Sequence, residues 1–167
     1  MRQEHKFCAD VYHLLYGYID HSRPPYFCLD SSAAKVGVKE KKLSDCGVPD
    51  FYFYLAGGTK AVTIEAKIVE KGKVKFCGDS EPRHWHTNGH GAYKPVLWIG
   101  SDLLFKTYFF WTHETFAAAL SPLVGRGKTK NGKNRTLVAS LPVRTLTFPT
   151  LQELVTHTLC WLKSNGY

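Results

Sequence analysis

Apolar positions along the chain change their period from one stretch to the next. In residues 3–20, Phe7, Val11, Leu14, Leu15 and Tyr18 recur at helical spacing and predict an amphipathic first helix. Residues 21–34 read as an irregular connection, broken by Pro24-Pro25. In residues 48–69 the period falls to two. Phe51, Phe53 and Leu55 alternate with Asp50, Tyr52 and Tyr54; Val62, Ile64, Ala66 and Ile68 alternate with Thr63, Glu65 and Lys67. The two runs flank Gly57-Gly58 and predict a β-hairpin with a two-residue primed turn, and residues 71–76 continue or turn the second strand. The unbroken apolar run 95–100 predicts a strand buried on both faces of a mixed or parallel sheet, with residues 106–111 as its neighbour. Thr112-His113-Glu114 opens a short helix through Leu120, and the capping box Thr150 to Glu153 opens a last one. The stripe Leu151, Leu154, Val155, Leu159 and Leu162 of that last helix suits either the core or a dimer face. Helices before and after a central sheet make an α/β sandwich.

The hairpin also fixes a register. With Gly57 and Gly58 as its turn residues, Asp50 lies opposite Glu65, their Cβ atoms about 5 Å apart. Two carboxylates at that distance repel by roughly 3 kcal/mol at an effective dielectric near 20. A hard divalent cation bound through oxygens removes the conflict. Lys67, two residues further along the same face, adds an ammonium suited to a phosphate or an attacking water. The pattern predicts a metal site. Glu4, three residues before Phe7 and seven before Val11, falls on the core-facing side of the first helix, where an acid is unusual; complementing the helix dipole is its other explanation.

Pro49-Asp50 followed by Glu65-Ala66-Lys67 resembles the signature of the PD-(D/E)xK nuclease superfamily, the restriction-endonuclease-like fold: a central mixed β-sheet with helices on both faces. Gly47-Val48-Pro49-Asp50 is similar to the Gly-x-Pro-Asp strand of archaeal Holliday-junction resolvases and of virus-type replication-repair nuclease domains. The resemblance spans about residues 1–111 as a catalytic core, leaving 112–167 as a C-terminal strand and helix extension of one domain. It implies that Asp50 and Glu65, with the Ala66 carbonyl and Glu4, hold one or two Mg²⁺ or Mn²⁺ ions, and that Lys67 orients or deprotonates the attacking water or stabilises the transition state. It further implies an endonuclease acting on duplex or branched DNA in repair or recombination, with a homodimer as one arrangement. Related phage sequences carry an active-site Gln followed by Trp-His. Here Trp85-His86 is present, but Pro82 stands where that Gln falls, which leaves Glu81, Arg83 and His86 as substitutes. An RNA-cleaving endonuclease of the same superfamily and a nucleic-acid-binding module with a lapsed site are the alternatives; the Gly-x-Pro-Asp strand favours DNA, and the small size favours structure-selective cutting.

Charge agrees with that chemistry. Among 167 residues the formal net charge is +8, which points to a polyanionic partner. Lys39, Lys41 and Lys42 precede the Asp50 strand, Arg83 follows the hairpin, and Arg126, Lys128, Lys130, Lys133 and Arg135 fall in a glycine-rich stretch without acids. These are the expected phosphate contacts. The glycine-rich stretch lacks the Walker pattern. Five cysteines without a Cys-x-x-Cys pair are read as reduced thiols, and His84, His86 and His90 near Cys77 fit no standard zinc spacing. No apolar run is long enough to span a bilayer, and the first residues lack a secretory signal, so the expected location is the cytoplasm, the host's if the protein is viral.

Overall fold

The computed structural model of the protein describes residues 3–23, 26–27, 50–77, 95–123, 131 and 136–167. Its longest strand, β3 (Val62–Glu70), has neighbours on both edges and packing on both faces. On one edge β5 (Leu97–Asp102) runs parallel to it, from Ile64↔Leu97 to Val69↔Asp102. The other edge is shared. There β2 (Phe51–Phe53) pairs antiparallel with Val62 to Ile64, while β4 (Lys73–Cys77) pairs only with Val69 and Glu70. The sheet therefore forks along β3. Beyond β2 lies β1 (Tyr26–Phe27); past β5 come β6 (Tyr108–Thr112) and then β8 (Leu146–Phe148), both antiparallel. All five residues of β4 pair with β7 (Thr136–Ser140), so these two leave the sheet as a ribbon.

Alternation along the strands decides what each face meets. Val62, Ile64 and Ala66 share one core with Phe7, Cys8, Val11 and Leu15 of helix α1 (Gln3–Leu15) and with Leu154, Val155, Leu159 and Leu162 of helix α3 (Leu151–Ser164). The opposite face carries Val69, Trp98, Phe109 and Trp111. Phe116 and Leu120 of helix α2 (His113–Leu120) and Val74, Leu137 and Ala139 of the ribbon cover it. This is an α/β architecture with a mixed sheet and helices on both faces, as expected. The α3 stripe is core. Residues 112–167 are more than an extension, because α3 and β8 complete the face that α1 begins. Both later helices start where their caps predict: the Thr112 and Thr150 hydroxyls accept from the amides of Thr115 and Glu153 at 3.3 and 3.2 Å.

The expected register holds, with Phe51↔Ile64, Tyr52↔Thr63 and Phe53↔Val62 paired. The expected two-residue turn does not. Leu55 bridges to Ile19, the Ala56 amide donates to the Tyr18 carbonyl, and Arg23 donates to the Gly58 carbonyl. The chain between β2 and β3 is thereby drawn into a wider loop, which turns at Gly57 (φ +77°). The tight hairpin lies at Lys71-Gly72 instead, both at positive φ (51° and 70°), between the paired Glu70 and Lys73. No helix among the described residues is long and apolar enough to cross a membrane.

Candidate active site at the fork

Where β2 ends, Asp50 continues its work with a side chain. Its Oδ2 accepts the Ala66 amide at 2.8 Å, one step beyond the last β2–β3 pair. Glu65 and Lys67 project from β3 on the face opposite α1, as the strand's alternation requires. The Lys67 Nζ donates to Glu65 Oε1 at 2.9 Å, and both side chains are 8% exposed. An ion pair this deep is a weak stabiliser, because the loss of water around two charges offsets most of their attraction. The sequence pattern placed these three residues together, and the structure joins them at the fork.

Residues of β5 and α2 stand beside the pair. Trp98 stands directly beside Glu65 on β5, its ring 5.9 Å from Lys67 Nζ. It is stacked on Phe116 (4.1 Å, 7° between planes), and its Nε1 donates to His113 Nδ1 at 3.2 Å. As acceptor, that Nδ1 leaves the His113 ring proton on Nε2. Gly100 lies opposite Lys67; a Cβ there would stand 2.9 Å from the Lys67 carbonyl and 3.0 Å from the Trp111 ring. In the sequence alone, Trp98 is one member of an apolar run and His113 the opening of a helix. Their signal was the two-faced burial of β5, which puts half of its side chains on the Glu65 face; only the β3–β5 register says which half.

Glu4 is the exception among the expected ligands. It is half-buried on α1, which packs on the other face of the sheet. Its neighbour Gln3 donates to the Leu103 carbonyl, just past the end of β5. From Glu65 to that end of β3 is ~13–17 Å of strand. The structure does not bring Glu4 to the cluster. Its helix spacing marks a core-facing side, but that side meets the wrong face. Lys39, Lys41, Lys42, Arg83, Arg126, Lys128, Lys130, Lys133 and Arg135 lie outside the described residues, as do His84, His86 and His90. Cys8 and Cys160 are thiols.

The donor set decides which ion suits the fork. Two carboxylates in register are hard oxygen donors of the kind Mg²⁺ or Mn²⁺ takes while keeping several waters. No group of three or more His, Cys, Asp or Glu side chains suited to a metal occurs among the described residues. The Lys67 ammonium already sits against Glu65 as a monovalent counter-charge, so the place is one where positive charge is stabilised. The residues fit a divalent ion. No protein-family model, no curated protein and no solved structure matches the chain.

Proposed function

We propose that the protein is a divalent-metal-dependent nuclease of the PD-(D/E)xK type, its sheet a restriction-endonuclease-like one, hydrolysing phosphodiester bonds of DNA. One observation carries this reading: Asp50, Glu65 and Lys67 meet at the fork, with a nearly dry Glu65–Lys67 pair 2.9 Å long. Asp50 and Glu65 would hold the ion. When bound, it supplies Lewis-acid activation and neutralises charge on the transferring phosphate. Lys67 is shared between Glu65 and that phosphate, donating to a non-bridging oxygen as negative charge grows there. Trp98, stacked on Phe116, sets an apolar ring 5.9 Å from the ammonium, and lower local polarity strengthens the pull of that charge on the phosphate. Asp50 accepts the Ala66 amide and so presents its carboxylate over β3 while β2 stays paired.

The test uses labelled duplex, single strand, flap and four-way junction DNA, with RNA alongside. Wild type and Glu65→Ala are compared in Mg²⁺, Mn²⁺ and chelator. Metal-dependent cutting of DNA lost in the variant is the expected result. Cutting confined to RNA moves the assignment to an RNA endonuclease, and no cutting of any substrate by the wild type overturns the enzyme reading in favour of a binding module.

A further inference from the structure

Phe51 and Phe53 are buried against α1, so Tyr52, and Tyr54 just past the strand end, turn to the side of Thr63 and Glu65. Their rings lie 6.2 Å apart, edge to face. Arg23 covers Tyr54, its Cζ 3.9 Å from the ring centroid. The guanidinium is braced there from two sides: Nε and Nη2 each reach the Asp20 carboxylate at 2.8 Å, and Nη2 donates to the Gly58 carbonyl at 2.7 Å. Asp20 is fixed in turn by the Ser22 hydroxyl and amide. Bonds from Ser22, then from Arg23, hold its carboxyl below the usual range. Even so, the Arg23 side chain is 43% exposed. The same end of the sheet carries two more cations over rings, Lys60 over Tyr167 at 5.4 Å and Lys163 over Tyr18 at 5.9 Å, and Tyr18 is 46% exposed.

An exposed Arg–Asp pair adds little to stability. A flat cation held open on an aromatic ring has a clearer use. We infer that this end of the sheet binds a single polynucleotide strand, one base stacking on the Arg23 guanidinium backed by Tyr54, the next meeting Tyr52, and the backbone leading on toward Asp50. Unpaired bases offer faces that a guanidinium or aromatic plane can take, whereas a duplex keeps those faces in its own stack. The guanidinium contributes both the plane and a charge for phosphate. From Tyr54 to Asp50 is ~13 Å of strand. That is about two nucleotides of a chain whose bases are parted to ~7 Å, twice the stacked rise, to admit a ring. The net charge of +8 suits such a partner. The direction toward Asp50 rests on the nuclease reading; binding of the strand does not.

The experiment measures fluorescence anisotropy of labelled oligo(dT), oligo(U) and a blunt duplex in chelator, with every protein carrying Glu65→Ala so that nothing is cut. The wild-type platform should bind single strand more tightly than duplex, and the stronger of the two single-strand signals names the sugar. Tyr54→Leu and Arg23→Lys should each weaken single-strand binding about fivefold or more, the effect of losing one stacked base, and leave duplex binding unchanged. Tyr54→Phe keeps the ring and should bind as wild type. Arg23→Lys keeps the ion pair with Asp20, so a loss there reports the plane. Equal affinity of both variants and wild type for single strand overturns the inference, as does a wild type that prefers duplex, or a loss shared equally by duplex. None of these outcomes touches cleavage, and a cleavage failure with intact oligonucleotide binding leaves the platform standing.

Discussion

Replacing Lys67 by methionine keeps most of the side-chain volume and removes the ammonium that lies 2.9 Å from Glu65, where both side chains are 8% exposed. The direct attraction is about 6 kcal/mol at an effective dielectric near 20, most of it offset by the desolvation of the two ions. Removing one partner forfeits the attraction but leaves the other charge buried, here a glutamate beside Asp50. The expected loss is about 3–5 kcal/mol for Lys67→Met, with a similar loss for Glu65→Gln. The double variant Glu65→Leu/Lys67→Met removes both charges and sets apolar volume next to Trp98 and Val69. It should unfold within about 1 kcal/mol of wild type or be more stable by up to ~4 kcal/mol. Urea unfolding of the four proteins gives the coupling energy, provided the slope with urea is common to all. Mg²⁺ should restore part of the stability of Lys67→Met, about 2.7 kcal/mol at a hundredfold excess over its Kd, and none in the double variant. A loss below 1 kcal/mol in Lys67→Met would mark an exposed pair and refute the idea that the fold holds a strained charge cluster for chemistry.

The remaining expectations concern the cluster's supports and one distant histidine. Asp50→Ala leaves the buried Ala66 amide without its 2.8 Å acceptor and should lower stability by about 1–3 kcal/mol; Asp50→Asn keeps an acceptor oxygen, so melting should stay close to wild type while cleavage disappears. Gly100→Ala drives a methyl to 2.9 Å from the Lys67 carbonyl and 3.0 Å from Trp111, an overpacking expected to lower stability by about 1–3 kcal/mol and to alter the near-ultraviolet circular dichroism; an unchanged spectrum and midpoint would contradict it. His157 packs edge-on to Phe110 at 4.6 Å, and burial holds its imidazole below the ordinary range. The unfolded chain therefore takes the proton first as pH falls through about 6.5, so stability should decline on acidification below that value. His157→Leu should flatten this slope, measured as urea midpoints between pH 5 and 8, and a slope unchanged in the variant would show that another group causes it.

The sheet was legible where period and register are local. Alternation in residues 48–69 separated Phe51 and Phe53 from Tyr52, and Val62 and Ile64 from Glu65, because a strand has only two faces. The same register survived a wrong turn: Gly57-Gly58 has the composition of a primed turn, but Ile19, Tyr18 and Arg23, far off in sequence, draw those residues into a loop. Lys71-Gly72 lacks the usual Asn-Gly signal, yet takes positive φ at both positions. Glu4 shows the limit of a single-helix argument. Spacing says which side of α1 is inward, but not which face of the sheet it meets. Trp98 and His113 join the cluster through a parallel pairing between distant segments, which neither residue's neighbours in sequence announce.

The fork gives the three central side chains unequal anchorage. Glu65 and Lys67 hang from the middle of β3, which lies between two cores, and its amides on the β5 side should exchange with solvent only when most of the domain opens. Asp50 hangs from the end of a three-residue strand near the edge of the sheet, where its 2.8 Å bond from the Ala66 amide continues the ladder. Fraying of β1 and β2 would therefore swing Asp50 away while Glu65 and Lys67 keep their positions. In a native-state exchange experiment the Ala66 amide would report that edge, and the Lys67 amide the whole fold. The carboxylate pair is then a hinged half set against a fixed half, and the occupancy of the site is tied to the local stability of the sheet's outer strands.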